Sequence, residues 1–392
     1  MNSCLRPSPP PNQRFSMYFP PLSRSVRALF PSALLGYGLI LFFPTPLLFG
    51  AHPPASRHVF PTSHQGDSTG EHASYGVYFY NVENLFDTLD DAHFLDEEFT
   101  PHGARKYGSI PYRLRIRQLA RALRMAVTAA GARPLALVLA EVENHGVLLD
   151  LSQHPALRLP GTRWEAISFD SPDKRGIDCA VLVNTEAATP LDQDLVRYSN
   201  DSLKTRDALL VDLLLLHDST KVRLIGVHLS SKLGGARRSE GKRRYELNAV
   251  NQALLERRER APTNYEILLG DFNENRSNEA YQDALANGWR EPLWQKMPKG
   301  VQGTYKYQGR WDQIDWALYR GKGVPTAQVL APAPLLTDDT KWGGKKPARA
   351  WQGLFFTNGY SDHLPICLTL PFGLISNFPS KDPTSTHPHN EF

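Results

Sequence analysis

The stretch EILLGDFN, residues 266–273, predicts a buried apolar strand that ends in two polar residues, Asp271 and Asn273. The same arrangement recurs along the chain, where an apolar, strand-like segment adjoins a carboxylate, an amide or a histidine. The other segments of this kind are YFYN (78–81), LVLAE (137–141), LIGVH (224–228), DQID (312–315) and YSDH (360–363). The repetition predicts a sheet that has its functional polar residues at the ends of its strands.

The polar residues at these strand ends are amides, carboxylates and imidazoles. They are Asn81, Glu83, Glu141, His228, Asp271, Asn273, Asp315, Asp362 and His363. Strand ends converge at one rim of a sheet, so we expect these groups to meet in space. Carboxylate and amide oxygens suit a hard divalent cation, and histidines suit acid–base work or phosphate contact. Without a serine nucleophile motif, the set indicates metal-assisted attack by water.

Each of these residues also has an ordinary structural interpretation. Glu141 alone could be a loop residue or a helix cap, and Asp271 with Asn273 could form a turn. Asp362 with His363 could be a cap or a satisfied core pair. The functional interpretation therefore depends on these strand-end sites of matching chemistry occurring together in one chain.

Hydrophobic periodicity predicts an α/β domain with mixed sheets over residues 75–371. Predicted strands are 75–81, 134–140, 164–169, 179–183, 208–216, 222–227, 266–269, 313–319 and 364–370, and predicted helices are 113–130, 240–260 and 278–286. Residues 88–111 are polar and irregular. No linker-like composition divides the region, so we expect one domain.

Composition excludes several classes of protein. The chain has 392 residues, 41% of them hydrophobic, with 44 Lys and Arg against 40 Asp and Glu. The first 51 residues hold four arginines and no acidic residue, so removing them leaves 40 basic against 40 acidic side chains. A globally basic nucleic-acid binder is therefore disfavoured. Three cysteines exclude a disulfide scaffold, and Cys179 and Cys367 are predicted to be buried strand residues rather than a bridged pair.

Residues 1–51 resemble a secretory leader. Residues 28–51 carry no charge, their most apolar run is LLGYGLILFF (34–43), and Arg24 and Arg27 lie just upstream. A basic start, a short apolar core and a small-residue end indicate a cleaved signal peptide. A membrane-spanning helix would need about 20 unbroken apolar residues. We therefore expect a secreted or periplasmic protein, with an uncleaved membrane anchor as the less favoured alternative.

The composition of two further segments predicts disorder. Residues 52–74 are rich in His, Pro, Ser, Thr and Gly and are interpreted as a solvated linker, and residues 372–392 as a disordered tail. Met17 is an alternative start to Met1, because the basic-then-apolar order begins there.

Seven segments together resemble the endonuclease/exonuclease/phosphatase superfamily, which includes DNase I-like nucleases, abasic-site endonucleases, inositol polyphosphate phosphatases and bacterial sphingomyelinases. The segments are YNVEN (80–84), LAEVEN (139–144), RGIDCAVLV (175–183), VHLSSK (227–232), LLGDFNENRS (268–277), DQIDWAL (312–318) and YSDHLPI (360–366). The resemblance implies a four-layer α/β sandwich of two mixed β-sheets packed face to face with flanking helices. It also implies phosphoester hydrolysis that depends on Mg2+, with Mn2+ as the alternative cofactor.

The resemblance assigns metal and acid–base roles to five carboxylates. Glu141 matches the principal metal ligand, Glu83 a second acidic group near the metal, and Asp362 a further metal contact. Asp271 matches the group that aligns or deprotonates the attacking water. Asp315 matches the carboxylate that holds and charges His363.

The resemblance also assigns phosphate contacts. His363 and His228 match histidines that contact the phosphate. Asn273 matches a hydrogen-bond donor that stabilises the pentacoordinate phosphorus of the transition state. Asn81 is expected to bind the phosphate or to order the metal. Asp178, in RGID, is a further candidate for substrate binding.

A basic segment follows His228 and enters a predicted helix. It holds Lys232, Arg237, Arg238, Lys242, Arg243 and Arg244. The outer arginines are interpreted as a solvated helix face, whereas Lys232, and Arg206 in KTRD, are predicted to clamp the phosphate because they adjoin the motif strands. If the patch holds a polyanion, affinity should fall steeply with salt.

The leading functional hypothesis is a metal-dependent nuclease or other phosphodiesterase. The second is a phosphomonoesterase or a sphingomyelinase-like phospholipid phosphodiesterase, for which the aromatic stretch 342–360 would be either a membrane loop or a packed substrate wall. The third is a non-catalytic phosphate-binding module. The expected partner is a phosphoester substrate, with nucleic acid among the candidates. No stable protein partner is implied, and a monomer is expected.

Overall fold

A computed structural model describes residues 74–200, 203–232 and 235–371. The predicted leader (1–51), the linker up to residue 73 and the tail (372–392) lie outside the described residues. The helices described are α1 (Ser109–Ala130), α2 (His145–Gln153), α3 (Ala236–Arg260) and α4 (Glu279–Ala286). Short 3-10 turns cover Glu97–Phe99, Pro155–Leu157 and Ala333–Leu335.

The strands described are, in chain order, β1 (Tyr75–Leu85), β2 (Arg133–Val142), β3 (Trp164–Ser168), β4 (Asp178–Asn184), β5 (Ala188–Val196), β6 (Ala208–Leu215), β7 (Lys221–His228), β8 (Tyr265–Asp271), β9 (Leu293–Trp294), β10 (Tyr305–Tyr307), β11 (Arg310–Asp312), β12 (Asp315–Gly321), β13 (Thr326–Val329), β14 (Leu336–Asp338), β15 (Lys345–Pro347), β16 (Trp351–Gln352), β17 (Phe355–Phe356) and β18 (Ile366–Leu370).

The described strands form two large mixed sheets. The seven-stranded sheet has the order β3-β4-β2-β1-β18-β13-β9, and the five-stranded sheet has the order β12-β8-β7-β6-β5. Three separate two-stranded hairpins, β10–β11, β14–β15 and β16–β17, follow α4 in the chain. They lie between residues 286 and 313 and between residues 319 and 364, where no secondary structure was predicted.

The two large sheets pack face to face. Alternate residues of each strand point to opposite faces, so each strand gives one set of side chains to the core between the sheets and the other set to the helices outside. On β8, Ile267 and Leu269 join the core shared with β1 and β2, whereas Leu268 packs with the residues of α3. The sheets approach closely at Gly226, where an added Cβ would lie 2.9 Å from a methyl carbon of Val138.

Helices cover both outer faces. Leu119 of α1 and Leu148 of α2 belong to the apolar cluster of the seven-stranded sheet, and Val250 of α3 and Tyr281 of α4 to that of the five-stranded sheet. The layers are therefore helix, sheet, sheet, helix, and the predicted four-layer α/β sandwich is confirmed.

Several predicted boundaries were wrong, for identifiable physical reasons. α1 begins at Ser109 rather than at residue 113, and the last predicted strand begins at Ile366 because Pro365 before it has no N–H to donate. The strand β5 was missed because its exposed aspartates and Pro190 hide the apolar alternation of an edge strand. The short helix α2 was also missed, although the Asn144 side chain caps it by accepting from the Val147 N–H.

Cys179 and Cys367 are both buried and unbridged, as predicted. Among the described helices, none combines the length and the hydropathy that a membrane span requires.

Candidate active site

Three of the predicted site residues lie side by side at one edge of the five-stranded sheet. The parallel strands β7 and β8 place His228 opposite Asp271, and the antiparallel pairing of β8 with β12 places Asp271 opposite Asp315. All three side chains are buried. The register of the sheet therefore builds a row of ionisable groups whose members are distant in sequence.

Asn81, at the corresponding edge of the other sheet, connects this row to Glu141. Its Nδ2 donates to Asp271 Oδ2 over 3.1 Å and to Glu141 Oε1 over 3.3 Å. Glu141 Oε2 also accepts from the backbone N–H of Asn84 over 2.8 Å. Both sheets thus contribute carboxylates to one place, and Asn81 orients one from each.

The backbone at these positions is strained. Four non-glycine residues of the site have left-handed φ values: Glu83 at 51°, Asn84 at 57°, Glu141 at 68° and Asn273 at 48°. Each such residue costs on the order of 1 kcal/mol, and such conformations cluster at functional sites. The register of β2 also shifts on either side of Glu141. This bulge turns a residue that would otherwise continue a buried strand towards the site.

The two histidines face Asp271 from opposite sides but differ in their surroundings. His228 Nε2 lies 3.6 Å from Asp271 Oδ2, and His363 Nε2 lies 3.8 Å from the same oxygen. His363 Nδ1 donates to Asp315 Oδ2 over 2.9 Å. Burial would lower the pKa of His363, but the Asp315 carboxylate raises that pKa well above its usual value.

His228 has the opposite bias. Burial, together with the nearby Arg206 and Arg175 guanidiniums, lowers the pKa of His228 well below its usual value. The row therefore presents an imidazolium at His363 and a neutral imidazole at His228. Asp271 lies between them, and burial together with the Asp315 carboxylate raises the pKa of Asp271 to about 7.

A cavity of about 550 Å3 opens above this row. The predicted residues that line it are Glu83, Glu141, Arg206, His228, Lys232, Asp271, Asn273, Asp362 and His363. Asn81 and Asp315 support this floor through their hydrogen bonds to lining residues. The structure thus brings these groups from distant segments into one cavity, and their roles there stay predictions.

The donor chemistry of the cavity fits a hard divalent cation. Glu141 and Asp362 are only partly buried and line the cavity with carboxylate oxygens, which are the ligands that Mg2+ and Mn2+ prefer. Burial and the neighbouring Glu141 carboxylate raise the pKa of Asp362. Negative charge is therefore crowded here, and a bound cation would relieve it.

The tightest group of potential metal ligands among the described residues is Asp271, Asp315 and His363, whose ligand atoms lie within 4.8 Å of one another. A cation at that point would compete with the proton that His363 shares with Asp315. We therefore favour Glu141 and Asp362 as the residues that would hold a metal.

The Glu83 carboxylate accepts hydrogen bonds from the protein itself. Oε2 accepts from the Ala350 N–H over 2.6 Å and Oε1 from the Trp351 N–H over 3.3 Å. Arg349 Nε lies 3.4 Å from Oε1. Burial and the nearby Asp362 carboxylate raise the pKa of Glu83 to about 8. Glu83 thus anchors the 349–351 loop beside the cavity, and its role as a metal ligand stays a prediction.

Two residues that were predicted to contact substrate, Asp178 and Arg206, form hydrogen bonds within the protein. Asp178 does not line the cavity, and its carboxylate accepts from the N–H and the hydroxyl of Ser171. Arg206 lines the cavity but donates to Asp173 and to the carbonyls of His228 and Leu229. Both hold the backbone around the site in place, and their contact with substrate stays a prediction.

Several cavity residues were not selected from the sequence, among them Arg175, Tyr305 and Arg349. Arg175 is the first residue of RGID, the motif from which only Asp178 was selected. Tyr305 packs its ring 5.0 Å from that of His363, centroid to centroid. Arg349 donates from Nη2 to Asp362 Oδ2 over 3.0 Å. The last two lie in segments without a clear periodic pattern, so no local signal pointed to them.

The basic segment on α3 is partly neutralised within the protein. Arg243 is buried and paired with Glu274, and Arg244 contacts Asp283 and Glu279 over 2.6 Å each. Arg237, Arg238 and Lys242 are exposed, as expected of a solvated face. The segment therefore presents less positive charge than its sequence indicates.

The aromatic stretch 342–360 is divided between the interior and the surface. Trp351 is buried against Phe99 and Tyr107, with ring centroids 5.5 Å from each. Trp342 and Phe355 are exposed, on separate hairpins. The stretch is therefore neither one continuous exposed loop nor one packed wall.

A sequence profile of the Endonuclease/Exonuclease/phosphatase family matches residues 76–371. The chain is also similar in structure to a member of that family from Bacteroides thetaiotaomicron, at 15% identity and a TM-score of 0.52, covering 77% of this chain and 96% of that one. A mannosyl-6-phosphatase from the same organism is 15% identical with a TM-score of 0.51, covering 76% of this chain and all of that chain (100%). Among curated proteins, no significant match to the chain was found.

Proposed function

Because this chain belongs to the endonuclease/exonuclease/phosphatase family, whose members are phosphoester hydrolases, we propose that it is a divalent-metal-dependent phosphodiesterase, with a nuclease as the first candidate. One observation carries the proposal. Asp271 lies between a neutral His228 and a charged His363, on the floor of a cavity that Glu141 and Asp362 line with carboxylate oxygens.

Each residue of the row has a chemical task in hydrolysis. Asp271 is positioned to orient the attacking water and to accept its proton, since its raised pKa of about 7 suits a base near neutral pH. The His363 imidazolium can donate from Nε2 to a phosphate oxygen and so stabilise the negative charge of the transition state. Asp315 keeps His363 charged and holds its ring.

The remaining groups orient the substrate and the carboxylates. Asn81 fixes Asp271 and Glu141 through its amide, and the neutral His228 offers a ring nitrogen towards the same space. Glu141 and Asp362 would hold the cation, and a bound Mg2+ would supply Lewis-acid polarisation of the phosphate and a more acidic water.

The test is an activity screen of the purified protein with Mg2+, Mn2+ or EDTA. The substrates are plasmid DNA, RNA, bis-nitrophenyl phosphate, a phosphomonoester, inositol phosphates and sphingomyelin. We expect cleavage of a phosphodiester that EDTA abolishes and Mg2+ restores. Hydrolysis of the phosphomonoester alone, or of sphingomyelin alone, would replace the proposal with the second hypothesis, and phosphate binding without any turnover would support the third.

We further propose that the protein acts outside the cytoplasm, in the periplasm or after secretion. The support is the uncharged segment 28–51 behind Arg24 and Arg27. Expression in a bacterial host, followed by fractionation and determination of the mature amino terminus, tests this. A mature chain that keeps the segment and stays with the membrane fraction would favour the anchor instead.

We propose a monomer, since no protein partner is needed to complete the cavity. Its residues all come from this chain. Size-exclusion chromatography with light scattering measures the oligomeric state directly, and a stable dimer would contradict the proposal.

A further inference from the structure

A second cavity, of about 140 Å3, opens beside the catalytic one. The two cavities share Tyr307, Arg349 and Asp362 in their walls. A substrate bound over the catalytic row can therefore extend into the smaller space. The group that enters it would be one of the two groups esterified to the scissile phosphate.

The smaller cavity lies at the His363 end of the row. Tyr305 packs against His363, and Tyr307, two residues further along β10, points to the same side of the strand. Arg206 holds the other end of the row through the carbonyl of His228. The two ends thus differ, because aromatic rings line the cavity wall at the His363 end and Arg206 supports the backbone at the His228 end.

Two rings at this cavity are exposed to a ligand. Tyr307 is 60% exposed and Trp342 is 52% exposed, and both line the cavity. Large rings that lie partly open beside a reaction centre offer π-faces on which another ring can stack.

The two hairpins that carry these rings are joined by a lysine whose side chain is buried. Lys306 lies between the hairpins β10–β11 and β14–β15, with its Nζ 3.0 Å from Asp339 Oδ2 and donating to the Gly343 carbonyl over 2.8 Å. The hairpin turn at Gly309, with φ at +81°, leaves no room for a Cβ beside Trp342, which would be 2.9 Å away. Little ordering is therefore needed when a ligand binds.

The charge of the cavity selects among ligands. Of the described residues, its wall includes the cations Lys306, Lys346 and Arg349 and the carboxylates Asp339 and Asp362. Lys341 adds a further ammonium 5.1 Å from the Trp342 ring. Aromatic sites also bind quaternary ammonium groups such as choline, but this excess of positive charge disfavours a cationic headgroup. It favours a neutral ring whose edge carries hydrogen-bond acceptors.

Building on the phosphodiesterase function proposed above, we propose that this cavity binds the nucleobase next to the scissile phosphate, by stacking on Tyr307 and Trp342. Lys346, and Arg349 through Nη1, which donates to neither Glu83 nor Asp362, are the donors in the wall for the carbonyl and ring-nitrogen acceptors of the base. The substrate class is then a nucleotide phosphodiester, of which the protein recognises the base on one side of the cleaved bond.

The test uses a dinucleotide and two analogues, each lacking one of its bases. With the wild-type protein, removal of one particular base should raise KM about tenfold, a typical stacking contribution, and removal of the other should not. Trp342→Ala or Tyr307→Ala should raise KM for the intact dinucleotide similarly, with kcat little changed. The same variants should cause no further rise for the analogue that lacks the stacked base.

Phe355→Ala is the matched control, because Phe355 is another exposed aromatic residue, at 79%, that lines neither cavity. It should leave every KM unchanged, and Trp342→Phe should restore the wild-type value. The inference is overturned if Trp342→Ala leaves KM for the dinucleotide unchanged, or raises KM equally for all three substrates. Either result leaves the hydrolase proposal intact.

A separate result would sink the hydrolase proposal alone. If the wild-type protein cleaves none of the substrates, the inference is decided by titrating adenosine monophosphate and following binding by calorimetry. Binding that is lost in both Trp342→Ala and Tyr307→Ala, but kept in Phe355→Ala, supports the base site. Equal affinity in all the variants overturns it.

Discussion

At the amino end of β7 and β8, Arg223 is buried opposite Glu266, whereas at the carboxyl end the same two strands bury His228 opposite Asp271. Arg223 donates to Asp212 over 2.7 Å and to Glu266 over 3.4 Å. Glu266 also accepts from Arg258 and Arg320. Both buried carboxylates at the amino end, Asp212 and Glu266, therefore have arginine partners, which is how proteins accommodate buried charge.

The carboxyl end balances its charge less completely. Burial raises the pKa values of Asp271 and Asp362, and the neighbouring carboxylates raise them further. A cavity opens over these groups, whereas arginines cover the carboxylates at the other end. Buried charge alone therefore does not identify a site. Perturbed carboxylates that face a cavity do.

The largest expected effect is on turnover at the carboxyl end. Asp271→Asn should lower kcat by about 10²–10⁴-fold, because the group that accepts the water proton is lost. Initial rates on bis-nitrophenyl phosphate with Mg2+ measure this, with circular dichroism to check the fold. The matched control is Asp212→Asn at the opposite end, which should retain kcat. Full activity in Asp271→Asn would remove the proposed mechanism.

The next effect is on stability at the amino end. Arg223→Met should lower the free energy of unfolding by about 3 kcal/mol, because it leaves Asp212 and Glu266 buried with fewer partners. Urea denaturation measures this change, and kcat of the folded fraction should stay at the wild-type value. A folded variant with much reduced kcat would show that the two ends of the sheet are coupled.

A smaller effect is expected on metal dependence. Glu141→Gln should raise the Mg2+ concentration for half-maximal activity by about tenfold or more, since it replaces a charged ligand by a neutral one. Glu143→Gln is the control, because Glu143 bonds the Asp87 N–H and does not line the cavity. Unchanged Mg2+ dependence in Glu141→Gln would move the metal away from this residue.

The smallest effect is expected on the outer face of α3. The double variant Arg237→Gln, Arg238→Gln should change the free energy of unfolding by no more than about 0.5 kcal/mol, because both side chains are exposed. The rate with a short dinucleotide should also stay the same. A marked loss of activity on plasmid DNA at low salt would instead indicate that a long polyanion reaches this face.

The apolar strands and the polar residues at their ends could be predicted from the sequence because both are local features. Apolar runs such as 266–269 and 134–140 predict buried strands from their own composition, and a polar residue at the end of each run is visible without knowledge of its neighbours. That was sufficient to predict an α/β domain with mixed sheets and to select nine of the seventeen residues that line the cavity, whereas the four-layer arrangement was implied by the family resemblance.

The orientation of the site side chains and the distances between them depend on contacts between segments that are far apart in the chain, so they could not be predicted from local sequence. The bulge at Glu141, the ties of Glu83 to the 349–351 loop and the entry of Arg175 into the cavity in place of Asp178 all depend on strand register and loop packing. Tyr307 and Trp342 line one cavity because the buried side chain of Lys306 connects the two hairpins that carry them. Local composition specifies which segments become strands, but side-chain direction is set by packing partners that only folding brings together.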